Sequence, residues 1–271
     1  RNILMNCKKI FKFLTFRQVK YLCLLIVYFI NVLPIYSLEN REELFREALE
    51  NSSIGQFNVS LEQWNNYLQI YPEDSAALSN RGNVRLILGD PQGSIEDQNY
   101  SIKVKPDELD PYINRGIAYE ALGLWKNAKD DYQFVISQES ENFSALYNLA
   151  NVEGSLSNWE EARNLFYKAS QSNTGFAMSR SSMALADYQL GNIDNAESEL
   201  RKLIRKYPTL ADARAALTAL QWSKGKVGEA ESNWIAAIEL DPRYAQEQWL
   251  LDVRRWPPKP TSDLMKFISL N

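Results

Sequence analysis

Any chemistry in this 271-residue chain must be done without histidine. That removes the imidazole general base, the Ser-His-Asp and Cys-His nucleophile pairs, and every histidine-ligated metal centre. The only thiols, Cys7 and Cys23, lie within the first 23 residues. From Leu24 onward the chain can build neither a disulfide framework, a thiolate zinc site nor a cysteine nucleophile. Asp, Glu, Lys, Ser and Tyr are left, and no glycine-rich phosphate loop joins them: seven of the eleven glycines recur at two fixed structural positions. The residues therefore point to no catalytic site, no cofactor, cofactor-binding or metal site, and no enzyme. The chemistry left to the chain is non-covalent binding.

The elements that would position a binding surface show in a self-comparison. Gly82-to-Gly116, Gly89-to-Gly123, Pro72-to-Pro106, Gly191-to-Gly225 and Pro208-to-Pro242 all span 34 residues. Blocks starting at Arg41, Ser75, Leu109, Phe143, Ala177 and Ala211 align without insertion or deletion (41-74, 75-108, 109-142, 143-176, 177-210, 211-244). Small residues at the eighth and twentieth positions, such as Gly116 and Ala128, let two helices approach closely. Glycine at the fifteenth, replaced by Ser157 in block four, ends the first helix in a left-handed cap. Apolar seventeenth and twenty-fourth positions, such as Trp125 and Tyr132, face the partner helix. Proline at the thirty-second position ends the second helix in four of six blocks.

A gap-free unit of two antiparallel helices with these columns resembles the tetratricopeptide repeat (TPR). The resemblance covers six blocks from Arg41 to Tyr244 and implies an all-α fold, a right-handed superhelical solenoid of six TPR helix pairs plus a C-terminal capping helix. Block three matches best, through Tyr119 at the eleventh position. Asn51, Arg85, Glu153, Asp187 and Gln221 depart from the aromatic usual there.

The resemblance also implies a non-enzymatic scaffold whose first helices line a concave groove for a protein partner, a peptide or a helix. The partner-binding groove would draw on Phe45, Asn83, Ile87, Ile113, Ile117, Tyr147, Asn151, Met178, Tyr188 and Trp222. Tyr147, Tyr188 and Trp222 are the aromatic anchors expected to be exposed. No Lys or Arg stands at the expected groove positions, whereas Glu42, Asp110 and Glu120 do. Asn80, Asn83, Asn114 and Asn148 are suitable amides, but the basic residues with which some family members grip a C-terminal carboxylate are missing. Acidic tails are thus excluded as partners by like-charge repulsion.

Net charge is −4, yet Arg1, Lys8, Lys9, Lys12, Arg17 and Lys20 precede any acid. Residues 38–271 hold 24 basic against 34 acidic residues, about −10, which argues against nucleic acid as a partner. The basic stretch runs into an apolar one from Tyr21 to Tyr36 and then Ser37. Residues 1-37 therefore predict either a cleaved signal peptide or an uncleaved anchor that holds the chain to a membrane through residues 5-37. Two segments, Lys206–Ala219 and Gly228–Pro258, resemble TPR proteins of cyanobacteria and plastids. That would imply export to the thylakoid and a role near photosynthetic complexes, the thylakoid lumen or a periplasm being the compartment. The alternative is a periplasmic or envelope adaptor unrelated to photosynthesis.

Past the sixth block, Ala245 to Arg255 predicts one more helix within the 245-271 cap. Trp256-Pro257-Pro258-Lys259-Pro260 should break it, leaving Asp263 to Leu270 for a last turn. This tail reads either as a lid on the last apolar face or as a proline-rich docking segment.

Overall fold

A computed structural model describes residues 40–270. The export segment expected over residues 1–37 lies outside the described residues. Among the described residues all regular structure is helical. Helix α1 covers 40–53, α2 Phe57–Ile70, α3 Ser75–Ile87, α4 Pro91–Val104, α5 Asp110–Ala121 and α6 Trp125–Gln138. Then come α7 Phe143–Ser155, α8 Trp159–Ser172, α9 Ala177–Gln189, α10 Ile193–Lys206, α11 Ala211–Ser223 and α12 Val227–Leu240. Sequential helices pack as antiparallel neighbours. Helix α3 also touches α5, α5 touches α7 and α9 touches α11, which curves the array toward the odd-numbered helices.

One local device turns every hairpin. The fifteenth-position residue is left-handed, as at Gly89 with φ 85°. The next amide then bonds back to the carbonyl five residues earlier, Asp90 N–H to Arg85 O at 2.9 Å. The same bond recurs from Gln56, Leu124, Asn158, Asn192 and Lys226 at 2.8–2.9 Å. This is the helix-terminating geometry in which glycine escapes a Cβ clash. In block four the chain forces it on Ser157, with φ 64°.

The eighth position explains how closely the hairpins close. A Cβ placed on Gly116 would stand 2.5 Å from the Tyr132 ring, so the tyrosine fills the space that glycine leaves. Polar residues also follow the repeat. Arg81 bonds Asp97 at 2.5 Å, and 34 residues on Arg115 bonds Asp131 at 2.6 Å. Asn65 and Asn99 accept from the same two guanidinium groups at 3.1 and 2.7 Å. Asp131 is therefore buried, while its neighbour Asp130 is exposed. The eleventh-position departures are paired too, Glu153 with Lys129 at 2.6 Å and Asp187 with Arg163 at 3.2 Å.

The C-terminal region differs from the expected single helix. Pro242–Ala245 forms a 3-10 turn, α13 is only Glu247–Asp252, and an irregular stretch leads to α14, Pro258–Leu270. The helix before the prolines ends at Asp252, and the prolines then open the last helix, which starts at Pro258 rather than at the expected Asp263. Pro258 and Pro260 occupy its first turn, where a missing N–H forfeits no intrahelical bond. Leu264 and Phe267 of α14 join Tyr188, Leu220, Tyr244, Leu250 and Trp256 in one buried core. Helix α14 packs on α11 and α9, so the chain folds back along its own inner face.

Candidate peptide-binding groove

The tail divides the inner face into two parts. Over α9 and α11 it is filled from within the chain. Trp256 is buried, and its indole N–H donates to Asp212 Oδ1 at 3.0 Å. Asp212 also accepts from Arg254 at 2.7 Å, from the Tyr244 hydroxyl at 2.9 Å and from the Ser181 hydroxyl at 2.5 Å. Burial works to raise this carboxyl, but the Arg254 charge and these donors hold it below the usual carboxylate range. Farther along, the Tyr188 hydroxyl reaches Asp263 of α14 at 2.8 Å, and the Lys259 backbone N–H donates to Gln189 at 2.8 Å.

Arg255 carries the tail across to the middle of the array. In a left-handed conformation with φ 52°, it pairs with Glu120 at the end of α5 and lies over the Trp125 ring. Tyr132 donates to the same carboxylate from behind. Burial pushes Glu120 up, against the opposing pull of Arg255 and Tyr132.

Between α3, α5 and α7 the inner face remains open, as a cavity of about 510 Å³. Asn80, Asn114 and Asn148, each 34 residues apart, line it in a row. An asparagine amide carries both a donor and an acceptor, which suits the alternating N–H and C=O of an extended chain. Two of the three amides are partly spent locally: Asn80 donates to the Ala76 carbonyl at 2.9 Å and Asn114 to the Ser79 hydroxyl at 3.1 Å. Behind them, Gln98 donates to the Asn83 oxygen at 3.2 Å, which leaves the Asn83 amide nitrogen without a bond among the described residues. Asn148 has no hydrogen bond among the described residues and is wholly available. One wall is aromatic, with Tyr147 5.4 Å from Phe176 and Phe143 5.0 Å from it.

Of the ten side chains expected in the groove, Asn83, Ile113, Ile117 and Tyr147 line this cavity. Ile113 contributes little surface, being 8% exposed, whereas Ile117 is 39% exposed. Ile87 is exposed beside them on α3, and Asn151 is half-buried on α7. Phe45 instead packs edge-on against Trp64 at 4.9 Å, inside the first hairpin. Met178, Tyr188 and Trp222 belong to the tail-filled part. Met178 Sδ accepts from Arg254 at 2.8 Å, Trp222 leans on the C-terminal core, and Tyr188 is fully buried rather than exposed. Its ring was expected to anchor a partner and is covered by α14 of its own chain. Phe143 was not among the expected groove residues, and the row Asn80, Asn114, Asn148, named above only as amides suited to a carboxylate, was not among the ten. The row's 34-residue recurrence is the sequence signal that marks it.

Two family models, each of the tetratricopeptide repeat, match residues 113–176 and 182–209. The fold is a tetratricopeptide-repeat solenoid. It is similar to a tetratricopeptide repeat protein from Parabacteroides merdae, at 20% identity and TM-score 0.62, over 86% of this chain and all of that one. It is also similar to the APC/C hetero-tetramer Cut9-Hcn1, at 16% identity and TM-score 0.65, over 82% of this chain and 41% of that one. A third likeness, at 19% identity and TM-score 0.53 over 66% of this chain and 92% of that one, is to YrrB, a TPR protein with an unusual peptide-binding site. Among curated protein sequences none matches significantly. Among the described residues no group of acids or thiols could hold a metal ion, and no helix is long and apolar enough to cross a membrane.

Proposed function

We propose that this protein is a non-enzymatic interaction scaffold that holds an extended segment of a protein partner in the groove over α3, α5 and α7. The observation that carries the reading is the open cavity lined by Asn80, Asn114 and Asn148 in repeat register, with Tyr147 and Phe143 at one wall. Amides in register grip the backbone of any extended sequence, and the aromatic wall adds apolar area. Rigid hairpins hold these groups in place before binding, so little ordering entropy is lost on association. The peptide-binding site of the similar YrrB structure supports a peptide as occupant. The described part is acidic overall and its groove has no cationic lining, which favours protein over nucleic acid.

The reading extends to place. The basic, acid-free start of the chain followed by its apolar run supports export across, or anchoring in, a membrane. The scaffold would there aid assembly or maintenance of a membrane complex, at the thylakoid by the resemblance of the C-terminal segments, or in another envelope. Crosslinking and mass spectrometry from native membranes, with wild type beside an Asn114→Ala, Tyr147→Ala, Asn148→Ala variant, tests both statements. A partner peptide crosslinked at α5 and α7 and lost in the folded variant supports the groove. Unchanged recovery of the same peptide in the variant overturns it.

A further inference from the structure

The open groove is poor in counter-charge for one sign only. No Lys or Arg lines it, while Glu108 and Asp110 stand at its edge. Glu108 is already engaged, bonding Lys105 at 2.8 Å and the Ser75 hydroxyl at 2.6 Å. Asp110 is different: it is exposed in the first turn of α5 and makes no ion pair or side-chain hydrogen bond among the described residues. It shares the cavity lining with Asn114, one turn along α5, and with the Phe143 and Tyr147 rings. The amides add to this bias. Each of Asn80 and Asn114 spends one of its two amide hydrogens on a local bond and keeps its carbonyl oxygen unbonded, free to accept from a ligand's donors.

Building on the groove reading, we propose that the bound segment carries a lysine or arginine, whose charged head meets Asp110 while an adjacent apolar residue packs on Phe143 and Tyr147. Charge complementarity chooses this occupant over the others. An acidic segment would meet Asp110, which has no ion-pair partner among the described residues, and no Lys or Arg in the cavity lining. A neutral one would leave Asp110 partly desolvated and unpaired. The Phe143 and Tyr147 rings that line the same cavity can add cation–π attraction for a guanidinium or ammonium.

The test uses the full chain and a positional-scanning library of decapeptides with blocked termini. The expected selection enriches Lys or Arg at one position, with an apolar residue next to it. Replacing that residue by norleucine in the best peptide should weaken binding about fivefold to tenfold. Asp110→Asn should produce the same loss, and the two changes together should lose no more than either alone. Tyr147→Ala with Asn148→Ala should abolish binding of every selected peptide, with helix content unchanged by circular dichroism. Selected peptides that lose affinity in the Tyr147/Asn148 variant but are indifferent to norleucine and to Asp110→Asn overturn the cation and leave the groove standing. A library from which no peptide is selected, or selection indifferent to Tyr147 and Asn148, overturns the groove as well.

Discussion

Ser157 occupies a backbone conformation that five glycines hold elsewhere in the molecule. A Cβ residue there stores about 1–2 kcal/mol of steric strain. Glycine would relieve it, offset by about 0.5–1 kcal/mol for its larger unfolded-state freedom. Ser157→Gly should therefore stabilise the protein by about 0.5–1 kcal/mol, seen as a higher urea midpoint with an unchanged slope. A lower midpoint would mean that the serine side chain contributes a contact outweighing its strain. The position of this strain is legible in the sequence, because the fifteenth column puts serine where every other block has glycine. The burial of Asp131 is harder to read. Its partner Arg115 is 16 residues away, and only the matching pair Arg81 and Asp97, one repeat earlier, betrays it.

At the scale of elements, helix α14 covers the apolar end of the array. Trp256 leads into it from a buried position, tied through Asp212 to α11 and through Ser181 to α9. Trp256→Ala should destabilise by about 3–5 kcal/mol, the usual loss for a buried tryptophan. Chemical denaturation measures it, and near-wild-type stability would return the tail to a free docking segment. The hairpins were readable because each is set within 34 residues by caps, small residues and apolar spacing. The destination of the tail was not, since Asp263 meets Tyr188 across 75 residues and no local pattern reports such a contact. One trace is visible afterwards. The sixth column runs Asn80, Asn114, Asn148 where the groove is open, then Ser182 and Ala216 in the blocks beneath α14. The twelfth column grows to Tyr188 and Trp222 in those same blocks.

For the molecule as a whole, the pair Arg255–Glu120 ties the C-terminal end to block three. Burial holds the Glu120 carboxyl above its unfolded value even with Arg255 beside it. A carboxyl raised on folding favours the folded state below its unfolded pKa, and that stability is lost as pH rises through the folded pKa. Arg255→Ala removes the opposing cation and raises the carboxyl further. Its cost should be largest at pH 7, about 2 kcal/mol given that the arginine is partly solvated, and should shrink as pH is lowered toward about 4.5. Denaturation of wild type and variant at both pH values checks this. An equal cost at the two pH values would show that Arg255 acts by packing on Trp125 rather than by neutralising charge.

The same tie has a consequence for the order in which the protein can be completed. A helical array with only neighbour contacts can finish each hairpin as it leaves the ribosome or a translocation pore. Here Glu120 must wait for a cation 135 residues downstream. At typical synthesis rates of about 5–20 residues per second, that interval lasts roughly ten seconds. Throughout it, block three holds a carboxylate that has the Tyr132 hydroxyl but no cation, and the inner face of α9 and α11 is uncovered. Glu120 thus gains its cation, and α9 and α11 their cover, only after the segment that carries Arg255 and α14 has been made.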